Sequence, residues 1–282
     1  MAELSILQDE LVIVGEKIPG RLWLGTSMYP SPEIMGNSLK AAGPGFVTVS
    51  VRRQTARQVE DNGHWRLIDQ WLKQSGSLLL PNTAGCHSAA EAVLLANMSR
   101  QLFGTDWIKL EVIGDDYSLQ PNAFELLQAA ETLVQQGFRV LPYCTEDLVL
   151  CQKLLDVGCA AVMPWAAPIG TGRGLQNPHG LRMLRERLPD AVIVIDAGIG
   201  KPSQAMQAME MGFDAVLMNT AVAKSLDPVT MAAAFGHAVT GGRQAWLAGL
   251  MVEREQASAS TPALGMPFWH SDTWRGKTTT NP

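Results

Sequence analysis

Two charged residues stand two positions apart in an otherwise apolar segment, and their types suit covalent chemistry. The segment WIKLEVI (107–113) contains Lys109 and Glu111. Because side chains alternate along a β-strand, these two share one face, while the residues at even-numbered positions share the other. A lysine amine in its neutral form attacks a carbonyl carbon and forms an imine. The alternative is a structural Lys109–Glu111 ion pair, and spacing alone does not separate the two interpretations.

A third candidate, Asp196, ends another apolar segment, AVIVID (191–196), and is followed by Ala-Gly-Ile-Gly. A carboxylate at the end of a strand can transfer protons to and from a bound substrate. It can also cap the loop that follows, a common role of aspartate near a helix start. Opposite an imine-forming Lys109, proton transfer is the better interpretation. The sequence therefore predicts a site of one lysine and two carboxylates.

Small residues follow the last two apolar segments of the chain and predict a phosphate site. Gly198 follows the first of them, and Asn219 and Thr220 end and follow the second. Small residues let backbone N–H groups approach an anion. The run Gly-Thr-Gly-Arg-Gly (170–174) is expected to fold over a ligand or to donate further N–H groups. Glycines are also ordinary turn residues, so the prediction depends on where the segments end.

The elements that must position these residues repeat along the chain. Short apolar or β-branched runs recur about every 30 residues, each followed by a segment of helical periodicity, which is typical of repeated βα units. Eight units predict an α/β fold, a single (β/α)8 TIM barrel whose C-terminal strand ends form the active site. An open doubly wound sheet is the alternative. The predicted strands are 21–27, 46–51, 77–83, 107–113, 139–144, 159–165, 191–196 and 213–219.

The two ends of the chain depart from this repeat. The segment ELVIVGEKI (10–18) reads as two short strands about Gly15, a β-hairpin that we expect to close the bottom of the barrel. After about residue 253 the pattern fades. We therefore assign residues 1–253 to the barrel with its N-terminal hairpin, and residues 254–282 to a partly flexible C-terminal extension.

Composition excludes several classes of function. The formal net charge is −5 and the chain has no basic run, so nucleic acid is not an expected partner. No apolar stretch is long enough to span a membrane, and the start of the chain carries acids where a signal peptide would carry bases. We expect a cytoplasmic protein without a membrane partner. The 4 cysteines and 5 histidines lack the spacing of zinc or redox sites, so we expect neither a metal nor a cofactor.

Six segments follow one another in an order that identifies a family. They are LLPNTAGC (79–86), IKLEVI (108–113), VLPYC (140–144), CAAVMPWAAPIGTGRG (159–174), VIDAGIG (194–200) and AVLMNTAVA (215–223). Together they resemble bacterial thiazole synthase, an enzyme family of thiamine biosynthesis, over roughly residues 11–266. The turn Gly25-Thr26-Ser27-Met28 departs from the Gly-Thr-Gly-Lys that is usual in that family.

The resemblance implies roles for the candidate residues. Lys109 would form an imine with 1-deoxy-D-xylulose 5-phosphate, and Glu111 and Asp196 would transfer protons. The substrate and its phosphate would lie near five positions that match family motifs: Gly170, Ala197, Gly198, Asn219 and Thr220.

The resemblance also implies reaction partners. Sulfur would come from the C-terminal thiocarboxylate of a small ubiquitin-like carrier protein. Condensation with dehydroglycine would then give the thiazole phosphate carboxylate of thiamine biosynthesis. A dehydroglycine-forming enzyme, either a glycine oxidase or a tyrosine lyase, is a further expected partner, and the expected assembly is a homotetramer.

Two alternatives to a thiazole synthase remain at this point. The same lysine geometry serves a class I aldolase-type sugar-phosphate lyase, in which the imine promotes carbon–carbon cleavage. A barrel can also bind a phosphosugar or a protein without catalysis, because the fold hosts many functions.

Overall fold

Short parallel strands alternate with helices through the computed structural model, which describes residues 9–52 and 63–258. The strands are near-continuous apolar runs because both of their faces are covered by other side chains. In chain order they are β1 (Leu11–Ile13), β2 (Glu16–Ile18), β3 (Leu22–Gly25), β4 (Phe46–Ser50), β5 (Leu78–Asn82), β6 (Trp107–Leu110), β7 (Ile113–Asp115), β8 (Gln120–Pro121), β9 (Arg139–Cys144), β10 (Met163–Pro164), β11 (Val194–Asp196) and β12 (Ala215–Met218).

The helices of the described residues begin at well-defined caps. Serine, asparagine or aspartate side chains accept backbone N–H bonds at most helix starts, as at Ser31, Ser88 and Asp147. The helices are α1 (Pro32–Ala42), α2 (Gly63–Ser75), α3 (Ala89–Phe103), α4 (Ala123–Gln135), α5 (Leu148–Asp156), α6 (Pro178–Arg187), α7 (Pro202–Glu210), α8 (Thr220–Ala223) and α9 (Pro228–Ala248).

Eight of the strands form one parallel sheet that closes on itself. Their order is β10-β9-β6-β5-β4-β3-β12-β11. Parallel bridges from Val162 to Ile193 and from Trp165 to Asp196 join the two end strands. The prediction of a single (β/α)8 barrel is confirmed, and the open sheet is not observed. The sixth predicted strand shrinks to the two residues of β10, one of which is Pro164, a residue without an N–H for the ladder.

The N-terminal hairpin closes the bottom of the barrel as expected. Strands β1 and β2 pair antiparallel, with Leu11 opposite Ile18. The buried side chains of the hairpin pack against residues at the N-terminal ends of the barrel strands, in a cluster that includes Trp23, Phe46 and Trp107. The Trp23 and Phe46 rings meet edge to face, with their centroids 4.7 Å apart. The hairpin end of the barrel is therefore filled by an apolar core.

An ion-pair cluster ties the chain before the hairpin to the last helix. The Asp9 carboxylate accepts hydrogen bonds from Arg21 at 2.9 Å and from Arg243 at 2.6 Å. The Arg21 guanidinium also donates to the Asp214 carbonyl oxygen. The hydrogen bond from Arg243, together with the charges of both arginines, holds the pKa of Asp9 below its ordinary value despite partial burial. Asp9 thus neutralises two guanidinium groups that would otherwise repel each other.

The chain divides into two compact units, one ending at Gly249 and the other beginning at Leu250. Helix α9 ends at Ala248, and residues 250–258 have no helix or strand. The division into 1–253 and 254–282 stays a prediction. Within the described ranges, no helix is both long and apolar enough to cross a membrane.

Replacing Asp9 should destabilise the fold, because the variant removes the carboxylate that pairs with both Arg21 and Arg243. We expect Asp9→Ala to lower the free energy of unfolding by roughly 2–3 kcal/mol at neutral pH. The folded-state pKa of Asp9 lies below the ordinary value of 3.8. Its contribution is therefore present above that value and is lost as pH falls through the folded-state pKa.

Urea denaturation of both proteins between neutral pH and pH 3 measures this difference. The matched control is Glu10→Ala, which removes the exposed partner of Lys17 and should cost much less. Equal losses in the two variants would contradict the assignment of the Asp9 cluster as a stabilising element.

Candidate active site

The residues of β6 and the position after it face the two sides of the barrel wall in turn. Ile108 and Leu110 pack into the outer core between strands and helices. Lys109 and Glu111 instead point into the barrel, where both line a cavity at the C-terminal end of the strands. This is the arrangement that the alternating pattern predicts.

Lys109 lies between two carboxylates. Its Nζ is 2.6 Å from Asp196 Oδ2 and 3.2 Å from Glu111 Oε1. The three side chains are no more than 8% exposed. The Lys109–Glu111 ion pair, which was one of the two interpretations of the sequence, is thus present. Asp196, at the end of β11, also pairs with Lys109. Two carboxylates and one ammonium are enclosed together.

This arrangement controls where the protons lie. Burial alone would lower the pKa of Lys109, but the charges and hydrogen bonds of Asp196 and Glu111 outweigh it, so the pKa of Lys109 is raised. Burial raises the pKa of Asp196, and the Lys109 ammonium acts against that increase. Beside these two carboxylates Lys109 is therefore an ammonium at neutral pH. An imine can form only after a proton leaves, and Asp196 is the closest carboxylate to accept it.

The backbone of Glu111 is held by the side chain of Thr83, which the sequence pattern does not indicate. Thr83, directly after β5, is fully buried. Its hydroxyl accepts a hydrogen bond from Glu111 N and donates one to Glu111 O, each at 2.8 Å. Glu111 lies beyond the last residue of β6, so Thr83 replaces the strand pairing that ends there. The contact between Thr83 and Glu111 can be assigned only when the register of β5 and β6 is known.

An aromatic ring covers another side of the lysine. Lys109 Nζ lies 5.7 Å from the centroid of the Tyr143 ring, close enough for a cation–π interaction. Tyr143 is buried on β9, and its hydroxyl donates to the carbonyl oxygen of Leu119. The contact of Tyr143 with Lys109 is not predictable from sequence, because a tyrosine inside an apolar strand is typical of a core residue.

All eight candidate residues meet in one cavity of about 540 Å³. Besides Lys109, Glu111 and Asp196, its walls include each position proposed for substrate and phosphate: Gly170, Ala197, Gly198, Asn219 and Thr220. The walls also include polar residues not predicted from sequence: Thr26, Ser27, Thr48, Ser50, Asn82, His87 and Asp116.

Two glycine-rich loops pack on each other beside Asp196. The Gly174 N–H donates to the Gly198 carbonyl oxygen at 2.8 Å. A Cβ on Gly200 would lie 2.5 Å from the carbonyl oxygen of Gly172, so the loop after β11 has no room for a larger residue at this position. Ala197 has φ +62°, a strained conformation for a residue with a Cβ. Residues 170–172 thus form part of the cavity wall.

Two arginines in the loops after strands do not line this cavity. Arg173 is exposed. Arg52, after β4, contacts Cys86 and Glu91. Across residues 9–52 and 63–258, no group of three or more histidine, cysteine, aspartate or glutamate side chains is placed to hold a metal ion.

Comparison with known proteins decides the family. Residues 12–262 match the family described as thiazole biosynthesis protein ThiG. The chain belongs to this family. The thiazole synthase of Ralstonia nicotianae is 58% identical over 270 residues, covering 95% of this chain and 97% of the relative. That of Neisseria meningitidis serogroup C is 56% identical over 262 residues, covering 93% and 98%.

Solved structures share the fold of this chain. A chain from the crystal structure of the Amycolatopsis orientalis BexX/CysO complex is 28% identical, with a TM-score of 0.77, covering 87% of this chain and 98% of that one. Thiamine phosphate pyrophosphorylase from Pyrococcus furiosus, 14% identical with a TM-score of 0.52 over 79% of this chain and 96% of that one, shares the fold alone. The expectation of an enzyme of thiamine thiazole synthesis is confirmed.

Removing the charge of Asp196 should release the proton of Lys109 more easily. We expect Asp196→Asn to lower the pKa of Lys109. Burial lowers this pKa, and only one carboxylate, that of Glu111, then remains to raise it. The pH titration of the Lys109 side-chain 13C resonance, assigned with Lys109→Arg, measures the change. Lys40→Arg, at an exposed site, is the control for the assignment. A pKa that stays the same or rises would contradict the electrostatic account.

The Thr83 hydroxyl should matter through Glu111. Thr83→Val keeps the shape but removes both hydrogen bonds, so we expect kcat for thiazole formation to fall about tenfold or more while the fold persists. Thr83→Ser keeps the hydroxyl and should recover most of the activity. Steady-state kinetics with thermal unfolding as a companion measurement tests this, and equal activity of the two variants would exclude the positioning role.

Proposed function

We propose that this thiazole synthase family member binds 1-deoxy-D-xylulose 5-phosphate covalently, through an imine between Lys109 Nζ and the substrate carbonyl. The observation that carries the proposal is the buried Lys109 between Asp196 and Glu111 at the C-terminal end of the barrel strands. Active sites of this fold lie at that end. The cavity volume of about 540 Å³ is in the range of small-ligand sites.

The three side chains can divide the proton transfers. Asp196 takes a proton from the Lys109 ammonium, and the neutral amine adds to the C2 carbonyl to give a carbinolamine. Return of a proton to the carbinolamine oxygen releases water and leaves the iminium. Burial raises the pKa of Asp196, which makes the protonated carboxyl more accessible for this step.

The iminium then acidifies the proton at C3. Glu111 is placed on the same strand face as Lys109 and is the second base available to remove it. Loss of that proton gives an enaminol, and its reprotonation leaves an aminoketone with the carbonyl at C3. This carbonyl is the position that receives sulfur. The Tyr143 ring face, which lies near Nζ, favours the cationic iminium over the neutral imine.

We assign the phosphate to the small-residue loops. Gly198 follows β11, and Asn219 and Thr220 follow β12, the two places where barrels of this fold frequently bind phosphate. Gly170 and Ala197 complete this side of the cavity. Small residues at these positions allow backbone N–H groups to approach the phosphate oxygens.

The remaining steps need partners. We propose that sulfur from the C-terminal thiocarboxylate of a small carrier protein replaces the C3 carbonyl oxygen, which leaves with the carrier as its carboxylate. Dehydroglycine then supplies the remaining ring carbon and nitrogen, and its nitrogen displaces Lys109 Nζ from C2 and frees the lysine, before dehydration to the thiazole phosphate carboxylate. Family membership supports this sequence of steps. The BexX/CysO crystal structure shows that a protein of similar fold forms a complex with another protein. A homotetramer with a separate dehydroglycine-forming enzyme completes the proposal.

Borohydride reduction tests the imine directly. Incubation with 1-deoxy-D-xylulose 5-phosphate and borohydride should add the mass of the reduced substrate to Lys109, as located by peptide mass spectrometry. Lys109→Arg should not be labelled, whereas Lys40→Arg should be labelled like the original protein. Label on another lysine, or label that persists in Lys109→Arg, would overturn the proposal.

A further inference from the structure

We propose that the hydroxyl of Ser27 donates a hydrogen bond to the phosphate group of the substrate and that Asn219 orients it. This extends the phosphate site to a third strand end, and it rests on the proposed function. The starting observation is a contact between two cavity walls: Asn219 Nδ2 donates to Ser27 Oγ at 2.6 Å.

The barrel register brings these residues together. Strands β3 and β12 are parallel neighbours, with Leu24 opposite Met218. Ser27 follows β3 and Asn219 follows β12, so both extend from the same edge of the barrel. Both line the cavity, together with Thr220 and Gly198. The sheet order β3-β12-β11 therefore places Ser27 on the flank of the two phosphate loops.

The Asn219 side chain is held in one place. It packs over Gly25, where an added Cβ would lie 2.6 Å from Asn219 Cβ. Its Oδ1 is buried and has no hydrogen-bond partner among the described residues. The Nδ2 group is therefore the end of the amide that makes a contact, and this contact is to Ser27.

The contact decides what Ser27 offers to a ligand. A serine hydroxyl has one donor and two acceptor positions. Because Ser27 Oγ accepts from Asn219, its own hydrogen remains free to donate into the cavity. Hydrogen bonds in a chain polarise one another, so accepting from the amide makes the hydroxyl a better donor. A donor of this kind suits an anionic oxygen.

The charge of the cavity walls strengthens the case. No arginine is among the described residues that line the cavity, and its lysine, Lys109, is already paired with two carboxylates. The described lining groups at the ends of β3, β11 and β12 are neutral donors, and each donor carries a substantial share of the binding of a phosphate held there. A hydrogen bond to a charged group corresponds to roughly a tenfold change in affinity or more.

The test compares two ketoses that differ in the phosphate. The sugar concentration that gives half-maximal borohydride labelling is measured for 1-deoxy-D-xylulose 5-phosphate and for unphosphorylated 1-deoxy-D-xylulose. We expect Ser27→Ala to raise the value for the phosphorylated sugar about tenfold and to leave the other nearly unchanged. The matched control is Ser50→Ala, a serine at the end of β4 that also lines the cavity and should affect the two sugars alike.

The outcomes separate this inference from the proposed function. If Ser27→Ala affects both sugars equally, or neither, the phosphate contact is wrong even though the imine forms. If the original protein is not labelled at Lys109, the imine is wrong, and titration calorimetry with inorganic phosphate takes over as the test. Binding of phosphate that is weakened about tenfold in Ser27→Ala supports the contact, and unchanged binding overturns it. Thermal unfolding of each variant checks that the fold is retained.

Discussion

The ion pair between Lys109 and Asp196 is the contact on which the site depends. An ammonium can be buried inside a barrel only with partners, and its two carboxylates come from different places in the chain. Asp196 reaches Lys109 only because β10 and β11 close the sheet and set the register of β11. A barrel that failed to close would leave a buried charge unpaired. Closure, stability and chemistry are therefore linked at this point.

Along the barrel axis, an apolar core lies at one end and the candidate active site lies at the other. The end covered by the hairpin is filled with large apolar and aromatic side chains, including Trp23, Phe46 and Trp107. Burial of these side chains stabilises the barrel and fixes the strands that continue to the other end. There, the inward positions become polar or charged, as on β6 where Trp107 is followed on the same face by Lys109. Strain and buried charge at the mouth, such as Ala197 with φ +62°, are tolerated because the rest of the barrel is well packed.

The sequence predicts what depends on local pattern and misses what depends on register. Alternation on one strand was enough to turn Lys109 and Glu111 inward, and strand-end positions were enough to bring Asp196 and Gly198 to the same mouth. Thr83 could not be assigned to Glu111, because their contact requires the alignment of β5 on β6. Ser27 and Asn219 likewise depend on the pairing of β3 with β12. The direction of the pKa of Lys109 was also beyond the sequence, since it requires the distances to both carboxylates.

The charges of the site and of its proposed ligand act in the same direction on Lys109. The site contains two carboxylates and one ammonium, so a phosphate dianion enters a cavity that is already negative when both carboxylates are ionised. Neutral donors such as the backbone N–H groups and Ser27 can bind the phosphate without placing another cation near Nζ. Another cation there would favour the neutral amine. The added negative charge instead favours the positive form of the nitrogen. In the proposed reaction the free amine is then a short-lived species, while the same carboxylates would stabilise the iminium that follows. The site is thus better suited to stabilise the cationic intermediate than to store a neutral nucleophile.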